Sequence, residues 1–346
     1  MRSRDGTTII VGGGVIGVCC AYFLAKRGAR VTVLERDQIG KGASYGNAGC
    51  IAPGHLPINK PGRLRQALKS LFDPLSPLYV APRPDPPLAR WLWAFSRACT
   101  ARQVELSMRT LAPLGHTSRE LFDELVETEK LECGFRREGY HEIYLTERGL
   151  ESATKEASFI SRYGFHPDVM PGGALREREQ AINGQVVGGV FYPEAATINP
   201  YHFVLEMAQR AERYGAEFRS DTEVVAIRTI DRTVHGVQTQ NGEVLESDCV
   251  VLASGAYSMP LIRKLGLRFP LQAAKGYHRD CEFGPGRPPL LRRACVLGER
   301  LVFCTPMDGF VRLAGTLEFS GVKSRDQAPT PGTAHKRVHS VFDKHG

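Results

Sequence analysis

The chain has 346 residues, of which 42% are hydrophobic and 24% charged, a composition typical of a globular protein with room for two domains. Its formal net charge of +8 comes from arginines and lysines spread along the sequence, whereas nucleic-acid-binding proteins usually concentrate them in one patch or motif. We therefore expect no nucleic-acid partner. The sequence contains no run of about eighteen apolar residues, so no membrane-spanning helix is predicted.

The N-terminal residues and the cysteines indicate the cellular compartment of the protein. Met1 to Gly6 is polar and leads directly into a strand, so no secretory signal is predicted. Nine cysteines without a C-x-x-C pair are typical of free thiols in a reducing compartment and give no zinc spacing. The sequence thus predicts a cytoplasmic, metal-free protein, whose basic surface could allow peripheral contact with the inner face of the plasma membrane.

The chain opens with a strand–helix–strand unit. The β-branched run Thr7–Val11 predicts a buried strand, and Val15–Arg27 predicts a helix that ends at Gly28. A second strand follows at Arg30–Leu34, directly before Glu35.

A G-x-G-x-x-G motif joins the first strand to this helix. Gly12 would allow the tight turn, Gly14 would let a pyrophosphate approach the backbone, and Gly17 would let helix and strand pack closely. The helix N-terminus favours phosphate, and Glu35 can accept hydrogen bonds from a ribose. The alternative, a glycine-rich turn in an unrelated α/β protein, is disfavoured because the whole context is present.

The motif alone does not choose between FAD and NAD, since both contain ADP. The small-residue loop Gly42–Gly49 favours FAD, because an extended cofactor could run along it towards its ring. The hydrophobic stretch Asp248–Leu252, followed by small residues, is a second indication, although it could simply be another core strand. An NAD-dependent dehydrogenase is the less favoured interpretation.

The middle of the chain predicts helices and a sheet. The loop Gly40–Pro61 is long enough to be functional, and the proline-dense stretch Leu71–Pro87 predicts irregular structure. Leu88–Lys130 predicts mostly helix, since its leucines recur at helical spacing. Phe135–Leu145 predicts extended structure, and Asn199–Gly215 a helix with Pro200 in its first turn.

The second half predicts further strands and a polar end. The predicted strands and hairpin cover residues 222–230, 234–240, 248–252, 270–283 and 300–318. Ser320–Gly346 shows no hydrophobic periodicity.

Six stretches occur in a specific order: IIVGGGVIGVCCAYFLAKRGARVTVLER, GASYGNAGCIAPG, GGVFYPEAATINPYHFV, VVLASGAYS, KGYHRD and VRLAGTLEFSG. This ordered set resembles the D-amino-acid dehydrogenase and oxidase group of FAD-dependent oxidoreductases, most closely the bacterial D-amino-acid dehydrogenase small-subunit type. The resemblance covers residues 7–321. It implies an α/β, Rossmann-like FAD domain with an α+β, sheet-based substrate domain, as in D-amino-acid oxidase.

The resemblance implies domain boundaries and a site. Residues 1–80 and 185–265 would form the FAD domain, 81–184 and 266–320 the substrate domain, and 321–346 an irregular basic tail. The implied positions that bind FAD without a covalent link are Gly12, Gly13, Gly14, Val15, Ile16, Gly17, Glu35, Arg36, Ser44, Asn47, Ala48, Gly49, Val224 and Gly255.

The resemblance also implies the chemistry. A D-amino acid would transfer a hydride from Cα to flavin N5, and the imine would hydrolyse to a 2-oxo acid and ammonia, with a respiratory or other electron acceptor. The enzyme would serve amino-acid catabolism. A glycine, sarcosine or hydroxyproline oxidoreductase is the nearby alternative.

No side chain stands out as a catalytic acid or base, so the catalytic residue is left unassigned. The candidate substrate contacts are Tyr277, His55 and Arg312. Their alternative readings are a surface-facing sheet tyrosine, a loop histidine and a solvated strand arginine.

Related chains continue past the AGTLEF segment to an arginine-bearing stretch and a G-H-G-like turn, which bind the flavin ring and help to hold the substrate carboxylate. Ser320–Gly346 matches neither. The expectation is therefore a chain shortened at its C-terminus, and a non-catalytic FAD-binding fragment is kept as an alternative.

Overall fold

The computed structural model describes residues 6–63, 78–80, 84–283 and 291–319. The helices are α1 (Val15–Ala25), α2 (Pro86–Ala98), α3 (Ala101–Thr128), α4 (Glu147–Ser161), α5 (Gly172–Arg178), α6 (Pro200–Arg213) and α7 (Ser258–Lys264).

The strands within these described ranges fall into four sheets. Their bounds are β1 (Thr7–Val11), β2 (Arg30–Leu34), β3 (Cys50–Ile51), β4 (Leu78–Val80), β5 (Tyr140–Tyr144), β6 (Asp168–Pro171), β7 (Gly188–Tyr192), β8 (Ala196–Thr197), β9 (Glu217–Arg219), β10 (Val224–Ile230), β11 (Thr233–Thr239), β12 (Val244–Glu246), β13 (Cys249–Leu252), β14 (Lys275–Glu282), β15 (Ala294–Leu297), β16 (Val302–Met307) and β17 (Phe310–Phe319).

The chain divides into two compact units, the first comprising residues 1–47, 129–133 and 200–273. Its parallel sheet has the order β13-β1-β2-β9, and its second sheet is the antiparallel β10-β11-β12. Ile9, Val11 and Leu34 of the parallel sheet form one core with Val224 and Val237 of the other. The predicted β-α-β unit is present, and parallel pairing brings β13 beside β1.

The second unit comprises residues 48–128, 134–199 and 274–346. Its eight-stranded sheet runs β14-β17-β16-β15-β5-β7-β6, with β4 paired to β17. Residues 48–63 and 188–199 belong here, whereas the sequence prediction put them in the FAD domain. The reason is pairing: β7 lies between β5 and β6, and β3 pairs with β8.

The prediction that Leu88–Lys130 is mostly helix is confirmed, but the stretch forms two helices with a break at Cys99, whose ψ of 61° ends α2. Of the leucines at helical spacing on α3, Leu125 is buried, whereas Leu114 is 60% exposed. The buried face of α3 also carries Val104, Met108 and Ala112.

Long-range pairing explains further differences. Residues 78–80 were predicted to be irregular but form β4, which pairs in parallel with residues 317–319 at the C-terminal end of β17. Helix α4 was missed, although Thr146 caps it by accepting a hydrogen bond from the N–H of Gly149. The predicted basic tail, 321–346, lies outside the described residues.

Candidate functional site

The glycine turn between β1 and α1 is shaped by backbone contacts. Gly12 has φ +112°, and a Cβ there would lie 2.7 Å from the carbonyl oxygen of Ala253. A Cβ on Gly17 would lie only 1.9 Å from the carbonyl oxygen of Gly12. At Gly14 a Cβ would meet only the Ser44 Oγ, at 3.4 Å. Gly12 and Gly17 are therefore required by the protein's own packing, whereas Gly14 leaves a backbone surface that a ligand can approach.

The N-terminus of α1 offers free backbone donors. Gly14 is the N-cap residue, and it has no side chain that could accept a hydrogen bond from the first turn. The first helical hydrogen bond is donated by the N–H of Val18 to the carbonyl oxygen of Gly14, at 3.0 Å. The N–H of Val15 donates to Ser44 Oγ at 3.0 Å. The backbone N–H groups of Ile16 and Gly17 come before Val18, where helical hydrogen bonding begins. Together with the positive end of the helix dipole, such N–H groups favour binding of an anion.

Glu35 lies at the end of β2, beside this turn. Its Oε2 accepts from the N–H of Gly13 at 2.7 Å, and its Oε1 from the N–H of Asp37 at 3.0 Å. The carboxylate is thereby fixed at the edge of the glycine turn, where a ribose attached to a bound pyrophosphate would lie. Arg36 stacks on Tyr257, with its guanidinium carbon 3.7 Å from the ring centroid.

The remaining predicted cofactor positions belong to different parts of the chain. Asn47 is exposed, and its Nδ2 donates to the carbonyl of Ala43 at 3.3 Å. Ala48 and Gly49 belong to the second unit, and the carbonyl of Gly49 accepts from the N–H of Ile198 at 2.8 Å.

Val224 and Gly255 both belong to the first unit. Val224 begins β10, is buried and pairs with Thr239. Gly255 has φ +52° and begins a short 3-10 helix that follows β13. Nothing lies within 4 Å of a Cβ built on Gly255, so its backbone is also open to close approach.

Two of the candidate substrate contacts are held by the protein itself. The hydroxyl of Tyr277 donates to Glu318 Oε2 at 2.5 Å, and burial, with this hydrogen bond, raises the pKa of Tyr277 to about 12. Arg312 is 4% exposed, and its Nε and Nη2 each donate to Asp280 at 2.8 Å. The reading of Arg312 as a solvated strand residue was therefore wrong.

Tyr277 and Arg312 also occupy opposite faces of the sheet. Arg312 shares a face with its ion-pair partner and direct neighbour Asp280 on β14. Tyr277 is three positions before Asp280 on the same strand, and side chains alternate between faces along a strand. The structure therefore does not bring these two candidates together.

His55 lines a narrow cleft in the second unit. Its Nδ1 lies 2.7 Å from the carbonyl oxygen of Leu56. The cleft is also lined by Tyr140, Phe165, Tyr192 and Glu194. Sequence reasoning assigned no role to these four residues. Tyr140 and Phe165 lie outside the stretches that carry the resemblance, and Tyr192 and Glu194 lie inside one of them, GGVFYPEAATINPYHFV, but were not singled out.

Another missed residue is His141, which follows Tyr140 on β5. Its ring is fully buried, and neither ring nitrogen has a hydrogen-bond partner among the residues that the structure describes. Burial, with the positive charges of Arg293 and Arg178, lowers its pKa from 6.5 to about 4. The histidine is therefore neutral at physiological pH, and no sequence signal distinguished it from an ordinary strand residue.

Comparison with known proteins identifies the family. The model of the FAD-dependent oxidoreductase family matches residues 7–343. The chain belongs to this family. The match reaches beyond the 7–321 resemblance derived from the sequence and extends into the segment that was predicted to be a tail.

The curated relatives of this FAD-dependent oxidoreductase include D-amino acid dehydrogenases. One from Methylobacterium nodulans is 31% identical over 98% of this chain and 81% of the relative. Another, from Sinorhizobium medicae, is 31% identical over 97% of this chain and 80% of the relative.

Solved structures show the same fold. A glycine oxidase from Bacillus cereus superimposes with a TM-score of 0.70 at 20% identity, over 98% of this chain and 80% of that one. A glycine oxidase from Geobacillus kaustophilus gives 0.68 at 22% identity, over the same shares. The expected D-amino-acid-oxidase-like α/β fold is confirmed.

FAD is the cofactor of this oxidoreductase. The open backbone at Gly14 and the uncapped helix end fit its pyrophosphate, and the fixed carboxylate of Glu35 fits its ribose. Within the described ranges, no helix is both long and apolar enough to cross a bilayer.

Proposed function

We propose that this chain catalyses the oxidative deamination of D-amino acids. The observation that carries the proposal is the likeness to curated D-amino acid dehydrogenases, at 31% identity over 98% of the chain. The 16–22% identity to glycine oxidases and other amine-oxidising flavoenzymes supports the fold but not a particular substrate.

The cofactor would be held without a covalent bond. The glycine turn and the N-terminus of α1, residues 12–17, would receive the pyrophosphate. Glu35 would accept hydrogen bonds from the ribose, with Arg36 beside it, and Ser44, Asn47, Ala48 and Gly49 would line the path towards the ring. The backbone of Val224 would contact the adenine, and Gly255 would pack near the cofactor. The first unit would thus be the FAD domain, and the second the substrate domain.

The reaction needs little acid–base assistance from the protein. FAD, when bound, would supply the hydride acceptor for this oxidation. An amino acid that binds as the neutral amine would lose the hydride from Cα, and water would convert the resulting imino acid to a 2-oxo acid and ammonia. The protein's part is to orient Cα–H and to exclude competing water.

The three candidate contacts differ in how much freedom they have. Arg312 is fixed by Asp280 and Tyr277 by Glu318. His55 is exposed and belongs to the loop that continues from the proposed flavin path at Gly49. Of the three, His55 is therefore the strongest candidate for substrate contact. The side chains of Tyr277 and Arg312 lie on opposite faces of the sheet, so they would not contact one substrate together.

We further propose that the electrons pass to a respiratory-chain or other acceptor, and that the protein is cytoplasmic. The net charge of +8 supports peripheral contact with an anionic membrane surface, where a respiratory acceptor would be reached.

Glu35→Ala should weaken FAD retention about tenfold or more, because hydrogen bonds to a charged group contribute roughly 1.5–3 kcal/mol. The check is flavin absorbance per protein after dialysis, together with reconstitution by added FAD. Asp37→Ala is the matched control, since its carboxylate is 70% exposed and pairs only with Arg36 among the contacts that the structure gives it. Equal FAD retention in the two variants would contradict the ribose assignment.

The proposed function is tested by the visible spectrum of the purified protein, recorded anaerobically before and after addition of D-alanine, D-proline, glycine or sarcosine. Bleaching of the flavin by a D-amino acid, with formation of the 2-oxo acid, is the expected result. Bleaching by glycine or sarcosine alone would support the alternative function, a glycine, sarcosine or hydroxyproline oxidoreductase. A flavin spectrum that no amine bleaches would support the binding-only alternative.

A further inference from the structure

The outer side of α3 carries a line of uncharged side chains. The helix packs on its own unit through Val104, Met108 and Ala112. A different line, which we call the seam, recurs at alternating spacings of four and three positions and consists of Gln103, Ser107, Thr110, Leu114, Thr117 and Leu121. None of the six is buried, and Leu114 and Leu121 are 60% and 37% exposed. Such spacing is the one at which a helix contacts a second helix in a coiled coil.

The charges of α3 are divided unevenly between its two ends. Residues 101–110 carry two arginines and one glutamate, whereas residues 119–128 carry one arginine and four carboxylates. Arg102, Glu120 and Glu124 are exposed and have no ion-pair partner among the residues that the structure describes. One end of the helix is therefore basic and the other acidic, and both ends keep exposed charges.

This distribution adds to the helix dipole instead of offsetting it. The N-terminus of a helix is the positive end of its dipole and the C-terminus the negative end, so acidic first turns and basic last turns are stabilising. Helix α3 has no acidic residue in its first turn and no basic residue in its last. Arg102 lies in the first turn and Glu127 in the last. A partner of opposite polarity along α3 would offset both ends.

A second copy of α3 in antiparallel orientation has that polarity. Two-fold symmetry would place the basic end of each helix against the acidic end of the other. Between the ends, the small hydroxyl side chains of the seam would let the helices approach closely, and Leu114 and Leu121 would be removed from water. The contact could be long, because a helix of 28 residues extends about 42 Å. An anionic membrane surface, by contrast, would repel the acidic end.

We propose that two copies of this chain associate through the seam of α3, with the two helices antiparallel and related by two-fold symmetry. No residue of α3 belongs to the proposed cofactor or substrate contacts. The inference therefore does not depend on the proposed function, and flavin binding or amine oxidation can be measured separately from association.

The first test measures the dissociation constant of the dimer by sedimentation of the wild-type holoenzyme over a concentration series, in the presence of a thiol reductant. Leu114→Glu should raise this constant at least about a hundredfold, because symmetry places an unpaired carboxylate in the contact twice. Ile230→Glu is the matched control, since Ile230 is 56% exposed on β10, and it should leave the constant unchanged. Flavin absorbance and thermal unfolding report whether each variant is folded.

The second test reverses the charges of exposed residues on α3. Arg102→Glu with Arg109→Glu makes both ends acidic, and Glu120→Lys with Glu124→Lys makes both ends basic. Each double variant should dissociate about tenfold or more above the wild type, since like charges then meet at both ends. An equal mixture of the two should associate, and the chain with all four substitutions should dimerise like the wild type.

Three outcomes would overturn the inference. A wild-type holoenzyme that stays monomeric at every concentration is the first, and a dimer that the folded Leu114→Glu variant leaves intact is the second, because it uses another surface. The third is a dimer that neither double variant weakens. In a parallel pair like ends already face each other, so reversing one end would change little. If Leu114→Glu does not fold, the charge variants decide.

Discussion

Gly17→Ala is expected to destabilise the protein by about 3 kcal/mol or more, as overpacking a tight contact does at the upper end of its usual range. A Cβ at this position would lie 1.9 Å from the carbonyl oxygen of Gly12, which real Cβ atoms do not tolerate. The neighbouring atom belongs to the backbone of the turn, so it cannot move without disturbing the join between β1 and α1. Thermal unfolding of apo-protein and holoenzyme measures the effect.

Gly14→Val should separate cofactor binding from folding. The backbone of Gly14 is extended, with φ −78° and ψ −179°, a conformation that valine also adopts. A Cβ would meet only Ser44 Oγ, at 3.4 Å, so the apo-protein should unfold near the wild-type temperature. FAD retention should fall, because the added side chain occupies the surface that a pyrophosphate approaches. Loss of fold in Gly14→Val, or a normal fold in Gly17→Ala, would contradict this division of roles.

Acidification from pH 6.5 to pH 4 should remove about 3 kcal/mol of stability through His141 alone. Burial lowers its pKa from 6.5 to about 4, helped by Arg293 and Arg178. The unfolded chain therefore binds a proton in this pH range that the folded protein does not bind, so stability falls as the pH falls. The contribution is fully present above pH 6.5. Denaturant unfolding at a series of pH values measures this slope.

His141→Leu should remove that slope and be at least as stable as the wild type at pH 7. Both ring nitrogens are buried and make no hydrogen bond within the described part of the chain, so replacing them with an apolar group removes an uncompensated desolvation penalty. His235→Leu is the control, because His235 is exposed on β11. A steep acid transition that persists unchanged in His141→Leu would show that other groups dominate.

Local sequence was sufficient where structure depends on neighbouring residues. The strands Thr7–Val11 and Arg30–Leu34 have the predicted bounds, and the helix between them begins at Val15 as expected. Glycine spacing, β-branched runs and turn residues act over a few positions, and their effects can be read without knowing the rest of the fold. The placement of Glu35 beside Gly13 follows from the same short unit.

Contacts between distant segments could not be predicted in this way. Asp280 and Glu318 were not singled out, although each holds one of the substrate-contact candidates. Their pairing depends on the antiparallel register of β14 with β17 and on an irregularity next to Tyr277. A shift of one residue would exchange the two faces of the strand.

The sequence by itself determined the β-α-β unit, the positions of its glycines and acid, and, through resemblance, the family and cofactor. The motif also predicted the roles of Gly14 and Gly17, and only the tertiary structure supplied the contacts behind them: a Cβ on Gly17 would meet the carbonyl oxygen of Gly12, whereas one on Gly14 would meet only Ser44. The tertiary structure alone placed His141 in the core and gathered Tyr140, Phe165, Tyr192 and Glu194 around one cleft. The physical reason is that hydrogen-bonding and steric preferences act locally along the chain, whereas burial, desolvation and side-chain convergence are set by strand register and packing between segments far apart in sequence.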